Sequence, residues 1–284
     1  MKTLINLAII SIFTLSSCQS SKEVVLDSKK EDTVKRPVES NKATAVYWQQ
    51  NSAEYEALCY QAFNAAQSYL NQFLDNYDAK GNFAPDLQDG RKKAIIIDLD
   101  ETVLNNSPYN GYLLKNQLDY SYQSWIDWTS TASAELIPGA LEFINNTNKA
   151  GIEIFFISNR SEEELAYTVQ NLTEKGVQFK EENLLLGRLD LRSQKDFRRN
   201  AISPAFDIIM LIGDNLADFH EVFESDIRRS DRKEVVETFQ NEFGKKYIIL
   251  PNVMYGGWEP IESSEDPMII EPIKELDQFI ESFK

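Results

Sequence analysis

Apolar residues recur along this chain in two different periods. From about Ala45 to Tyr77 they mark one recurring helical face through Tyr47, Leu58, Phe63, Ala66, Leu70 and Phe73. After a polar break from Gly81 to Gly90 the pattern changes. Ala94-Ile95-Ile96-Ile97 is a short, continuous, β-branched run, the pattern of a strand covered on both faces. Ile152–Ile157 is a second such run, and Leu184–Leu186, Ile208–Ile212 and Tyr247–Leu250 are further candidates. Between them lie amphipathic stretches with helix punctuation. One starts near Pro138 and closes at Gly151; another opens on the capping box Ser161-Glu162-Glu163-Glu164 and stops at Gly176. Buried strands alternating with amphipathic helices predict an α/β fold, a doubly wound parallel sheet. The leading helices and residues 105–135 form a smaller cap or side domain. In such sheets ligands sit beyond the carboxyl ends of the strands.

Chemistry gathers at those ends. Asp98-Leu99-Asp100-Glu101-Thr102 follows the first predicted strand. One of two carboxylates spaced this way can attack phosphorus, while the other gives a proton to the leaving oxygen and later takes one from water. Two bare anions beside a phosphate need a cation, and Mg2+ prefers carboxylate oxygens. A calcium loop is excluded, because Val103 and Tyr109 stand where Gly and Glu are required. Ser158-Asn159-Arg160 follows the second strand with donors for phosphoryl oxygens. Lys195 supplies a fixed positive charge, and Gly213-Asp214-Asn215-Leu216-Ala217-Asp218 brings two more carboxylates after the fourth strand. Taken singly, these are a capping serine, a surface lysine and an acidic turn; their order at successive strand ends gives them weight together.

Composition narrows the chemistry further. The 284 residues carry one histidine, His220, and two cysteines, Cys18 and Cys59, which exclude zinc sites built from several His or Cys ligands and any disulfide framework. A Ser-His-Asp hydrolase would have to rest on His220 alone, and His220 reads as a residue on a helix surface or behind the site. A cysteine phosphatase would want Arg six positions after Cys59, where Ala65 stands. The net charge of −16 argues against a nucleic-acid polymer as partner.

The first residues read as a leader. Lys2 precedes an apolar stretch from Leu4 to Leu15, too short to span a bilayer, and Leu15-Ser16-Ser17-Cys18 resembles a bacterial lipobox. The expected organisation is a signal peptide over 1–17, lipidation at Cys18, a flexible tether over 18–44 and a globular domain over 45–284, helical over about 45–80 and 105–135. The protein is then expected in the bacterial cell envelope, lipid-anchored and at the outer membrane.

The ordered set Asp98/Asp100, Ser158, Lys195 and Asp214/Asp218 resembles the haloacid dehalogenase (HAD) superfamily. The fuller strings Asp98 to Tyr109, Gly213 to Phe219 and Pro251-Asn252-x-x-Tyr255-Gly256-Gly257-Trp258-Glu259 resemble the class C bacterial acid phosphatases, the lipoprotein acid phosphatase and 5′-nucleotidase group. The resemblance runs from about residue 45 to 260. It implies an HAD-like core with Asp98 as nucleophile, and Asp100 as general acid and base whose main-chain carbonyl binds Mg2+. Asp98 and Asp214 would also ligate the metal. Ser158, Asn159 and Lys195 would hold the phosphoryl group, with Arg160 and Asp218 supporting. Trp125, in the stretch 107–128 that holds six aromatics, and Tyr255 would stack on a flat leaving group. The substrate would be a small phosphomonoester: a nucleoside monophosphate, nicotinamide mononucleotide or an aryl phosphate. Phosphotransfer to an alcohol uses the same residues, and a surface lipoprotein that only binds its ligand is the alternative from another class. A homodimer is left open. The second Asp favours a phosphatase over a dehalogenase.

Overall fold

In the strand Lys92–Ile97 (β1) every residue after Lys92 is buried, and alternate side chains feed two different cores. Ile95 and Ile97 join Tyr55, Phe63, Phe143 and Phe156 on one face; Ala94 and Ile96 join Phe155, Ile202, Leu211 and Tyr247 on the other. That period of two is what a strand between two helical layers requires. The computed structural model describes residues 40–75, 91–187, 195–223 and 229–259, with the short pieces 261–262 and 271–272. The leader, Cys18, most of the tether and the break at 81–90 lie outside the described residues.

The sheet has the order β5-β4-β1-β6-β7, and every pairing is parallel. Its other members are Glu153–Ser161 (β4), Leu184–Gly187 (β5), Phe206–Gly213 (β6) and Tyr247–Ile249 (β7). These are the five strands the sequence predicts. Register aligns the strand ends: Ile97 lies opposite both Phe156 and Ile212. Asp98, Ser158 and Asp214 therefore emerge together at the carboxyl edge. The crossovers include Ala140–Lys149 (α5) before β4, Leu165–Glu174 (α6) after it, Asp196–Ile202 (α7) before β6 and Arg229–Thr238 (α8) before β7. The Ser161–Glu164 capping box forms, with the Ser161 N–H donating to Glu164 Oε2 at 2.7 Å, and it opens one 3-10 turn ahead of α6.

The leading helical stretch differs from its sequence reading in two ways. It is two helices, Ser40–Asn51 (α1) and Ala53–Asp75 (α2), broken where the Ser52 hydroxyl accepts the Tyr55 N–H at 3.1 Å. A side-chain oxygen that satisfies an otherwise orphaned amide starts a new helix there. The second difference is one of place: α2 is part of the main core through Tyr55, Cys59, Phe63, Ala66 and Leu70, not of a separate cap. Periodicity shows that a helix has an apolar face but not which layer that face meets.

The cap is the insertion at 105–135. Leu104–Asn105 (β2) pairs with Glu135–Leu136 (β3) in an antiparallel stem. Ser107–Asn116 (α3) and Tyr122–Thr129 (α4) lie between them. Asn171 of α6 grips the returning chain like a strand partner, accepting the Ala134 N–H at 3.1 Å and donating to its carbonyl at 2.9 Å. Tyr122 donates its hydroxyl to Ser161 Oγ at 3.0 Å, latching α4 to the end of β4. No helix among the described residues is long and apolar enough to cross a membrane.

Candidate active site

The chain turns sharply as β1 ends. The Leu99 carbonyl accepts the amides of Val103 and Leu104, each at 2.8 Å, and Glu101 takes a left-handed φ of 59°. The turn brings Thr102 back beside Asp98. The Thr102 hydroxyl lies 3.3 Å from Asp98 Oδ2 and 3.2 Å from Asp214 Oδ1, linking the ends of two strands.

The Lys195 ammonium sits between Asp98 and Asp218, 2.6 Å from Asp218 Oδ1 and hydrogen-bonded to Asp98 Oδ1. The other Asp218 oxygen accepts the Asn215 N–H at 2.9 Å. Both carboxylate oxygens thus serve Lys195 and the turn after β6. This packing explains Gly213: a Cβ there would stand 2.2 Å from Asp218 Oδ2. Asp214 Oδ2 accepts from Asn252 Nδ2 at 2.7 Å.

Carboxylate oxygens of Asp98, Asp214 and Asp218 lie within 4.8 Å of one another, and Lys195 is the ammonium placed among them. Crowding and burial have the expected electrostatic effect. The Asp214 carboxyl is pushed up to about 7 by burial first and Asp218 second. Asp98 is also raised by burial, against the pull of Lys195. Burial alone would lower the Lys195 ammonium, but Asp218 and Asp98 outweigh it and hold it above its ordinary value. Three carboxylates facing one ammonium leave an excess of negative charge, and hard oxygen donors at this spacing fit a divalent cation.

Asp100 faces the other way, into a nest of donors. Asn106 Nδ2 lies 2.9 Å from its Oδ1, Ser158 Oγ lies 3.2 Å from Oδ2, and the Arg160 guanidinium lies along both oxygens. Arg160 is 2% exposed and also reaches Thr168 Oγ1 at 3.1 Å. Its Cζ lies 5.8 Å from the ring centre of Trp125. The exposed Asn159 spends its side-chain oxygen on Arg198 Nη2 at 2.6 Å, so that oxygen shapes the loop. Arg198, which also donates to the Ser158 carbonyl, supports the same loop from behind.

The two predicted stacking aromatics come from separate elements. Trp125 is half-buried on α4 with its ring edge-on to Tyr109, centroids 5.2 Å apart. Tyr255 lies in the loop after β7 and donates its hydroxyl to Glu101 Oε2. His220 accepts the Val222 N–H at Nδ1, 3.1 Å away, and leans on Phe239; it takes no part in the carboxylate cluster. Sequence reading assigned no role to Glu101, Thr102, Asn106 or Asn252, and gave Arg198 only a share in the local positive charge. Those four stand inside the strings that carry the resemblance, which was their only signal.

Residues 3–258 match the family model described as HAD superfamily, subfamily IIIB (acid phosphatase). The chain belongs to that family. Two solved structures resemble this subfamily IIIB chain. The class C acid phosphatase from Bacillus anthracis with tungstate bound is 34% identical with a TM-score of 0.73, covering 86% of this chain and 98% of that one. Another structure of the class C enzyme from the same organism is 37% identical with a TM-score of 0.67, covering 76% and 86%. Among curated proteins, acid phosphatase 1 of Solanum lycopersicum is 30% identical over 151 residues, covering 50% of this chain and 58% of that protein. The stem 31 kDa glycoprotein of Glycine max is 28% identical over 131 residues, covering 43% and 50%. The chain therefore spans about half the length of the curated relatives it matches.

Proposed function

We propose that this chain is an Mg2+-dependent acid phosphatase that hydrolyses phosphomonoesters through an aspartyl-phosphate on Asp98. The observation that carries this reading is the meeting of Asp98, Lys195, Asp214 and Asp218 at one sheet edge, with Asp100 and Ser158 beside them. Asp98 Oδ attacks phosphorus while the ester oxygen leaves with a proton from Asp100. Asp100 then takes a proton from water, the resulting hydroxide attacks the acyl phosphate, and phosphate departs with Asp98 restored. Lys195 and Ser158 donate to the phosphoryl oxygens, and Asp218 keeps Lys195 in place. The side chains of Asp98 and Asp214 with the Asp100 carbonyl would hold Mg2+, which supplies positive charge beside the phosphoryl group when bound.

The leaving group is a nucleoside or another flat aromatic alcohol, with Trp125 on the cap and Tyr255 on the β7 loop as the stacking pair. Tungstate binding by the Bacillus anthracis relative, an oxyanion in a homologous enzyme, supports a phosphate-sized site. We further propose that the protein acts in the bacterial envelope, anchored at the outer membrane through lipid on Cys18. A Cys18→Ser protein should lose fatty-acid labelling and leave the membrane fraction; labelling undiminished by that change would refute the anchor.

The direct test is a phosphate-release assay on nucleoside monophosphates, nicotinamide mononucleotide, aryl phosphates and an aliphatic phosphate ester, run with Mg2+ and with EDTA. Turnover that requires metal and favours aromatic leaving groups is expected. Absence of phosphate release across the panel would defeat the reading.

A further inference from the structure

Glu101 takes no part in the phosphoryl transfer above, yet it is fully buried beside it in a left-handed conformation that a non-glycine residue adopts at a cost. Its carboxyl group joins two distant parts of the molecule, and Oε2 also accepts Asn106 Nδ2 at 3.4 Å. Oε1 accepts the main-chain N–H of Asn106 at 2.9 Å, where the chain enters the cap. Oε2 accepts the hydroxyl of Tyr255, 154 residues further along. The main chain of the Tyr255 loop is fixed separately, with the Gly256 N–H held by Glu259 Oε2 at 3.1 Å. Asn252 Oδ1 accepts the amides of Met254 at 2.8 Å and Tyr255 at 3.4 Å, which sets the main chain but not the ring. The ring's distal end is held by Glu101. On the cap side, Asn106 Oδ1 accepts Trp128 Nε1 at 2.9 Å, so α4, which also carries Trp125, is tied to the residue that Glu101 grips.

We propose that Glu101 is a positioning residue for leaving-group selection. By holding the Tyr255 hydroxyl and the entry to the cap on one carboxyl group, it sets the Tyr255 ring relative to the cap aromatic Trp125 and thereby favours phosphomonoesters with a flat aromatic leaving group. This rests on the reading of Trp125 and Tyr255 as the stacking pair. A carboxyl group suits the task because it can accept two donors from two directions at once.

The test is steady-state kinetics on a nucleoside monophosphate and on glycerol phosphate, with the ratio of their kcat/KM values as the readout. Tyr255→Phe and Glu101→Ala should each lower that ratio by about three- to tenfold, chiefly through KM for the nucleotide, since each breaks the Tyr255–Glu101 hydrogen bond. The double variant should fall no further than the lower single one, because both changes break the same contact. Glu101→Gln still offers the hydroxyl a partner and should retain most of the ratio. An unchanged ratio in Tyr255→Phe, or losses that multiply in the double variant, would overturn the proposal. Tyr255→Phe leaves the Asn106 contacts intact and Glu101→Gln can still accept the Asn106 N–H, so they decide the matter even if Glu101→Ala does not fold. Tyr255→Ala separates the two readings. If it leaves the ratio unchanged, the stacking pair is wrong; if it lowers the ratio while Tyr255→Phe does not, the pair stands and the role of Glu101 falls.

Discussion

The guanidinium of Arg160 lies flat along the carboxylate of Asp100, with Nη2 2.8 Å and Nε 3.0 Å from Oδ1 and Nε 3.2 Å from Oδ2. Ser158 and Asn106 complete the ring of donors. Asp100 is therefore oriented by its neighbours before any substrate arrives. Removing one partner of a buried pair leaves the other charge uncompensated, so Arg160→Ala should cost about 3 kcal/mol of stability. Its kcat should fall more than its KM rises. Thermal melting and initial rates check both; a variant with full kcat would show that Arg160 does not orient Asp100.

The two carboxylates of the first loop should fail differently. With Asp98 as the proposed nucleophile, Asp98→Asn should abolish both phosphate release and any acid-stable, radiolabelled phosphoenzyme. Asp100→Asn should slow turnover by about 10²- to 10⁴-fold while leaving Asp98 able to be labelled, most visibly with poor leaving groups. Equal losses on esters of good and poor leaving groups would argue against Asp100 as proton donor.

Burial raises the carboxyls of Asp98, Glu101 and Asp214, with Asp214 at about 7 and Glu101 at about 8. An unfolded chain loses these protons near pH 4, so from about pH 4 to pH 8 the metal-free folded chain holds more protons than the unfolded one. Its stability should fall as pH rises through that window. Metal-free protein is expected to melt at a lower temperature at about pH 8 than at about pH 5, and Mg2+ should raise the melting temperature more at the higher pH, where it displaces fewer protons. Calorimetry at both values, with and without Mg2+, checks the sign.

Gly213→Ala tests the close approach behind the cluster. The added methyl carbon would meet Asp218 Oδ2 at 2.2 Å, and Asp218 holds Lys195. A loss of about 1–3 kcal/mol of stability is expected. A rise in KM should accompany it, because Lys195 loses its seat. An active variant of unchanged melting temperature would contradict the packing described.

The sheet was legible in the sequence because strands buried on both faces must be apolar almost without interruption, as Ile95-Ile96-Ile97 and Ile154-Phe155-Phe156-Ile157 are. Asp98, Ser158 and Asp214 were legible because each follows such a run. The place of α2 was not, since a helix facing the core and a helix facing a cap have the same period. The break at Ser52 carried a signal, a capping hydroxyl in mid-pattern, that the periodicity overrode. Links such as Glu101 to Tyr255 or Asp214 to Asn252 were beyond reach for another reason. Their partners lie 154 and 38 residues apart, and only the folded chain makes them neighbours.

The β2–β3 stem brings the two ends of the cap side by side, with Leu104 opposite Leu136. An insertion that leaves and returns through adjacent positions places little demand on the sheet beneath it. The insertion still reaches back to the reaction centre at two points, where Asn106 donates to Asp100 and Tyr122 to Ser161. A graft that keeps Asn106 and replaces only the residues between it and Glu135 would preserve the donor to Asp100, which makes the inner side of this stem the natural junction for exchanging the cap.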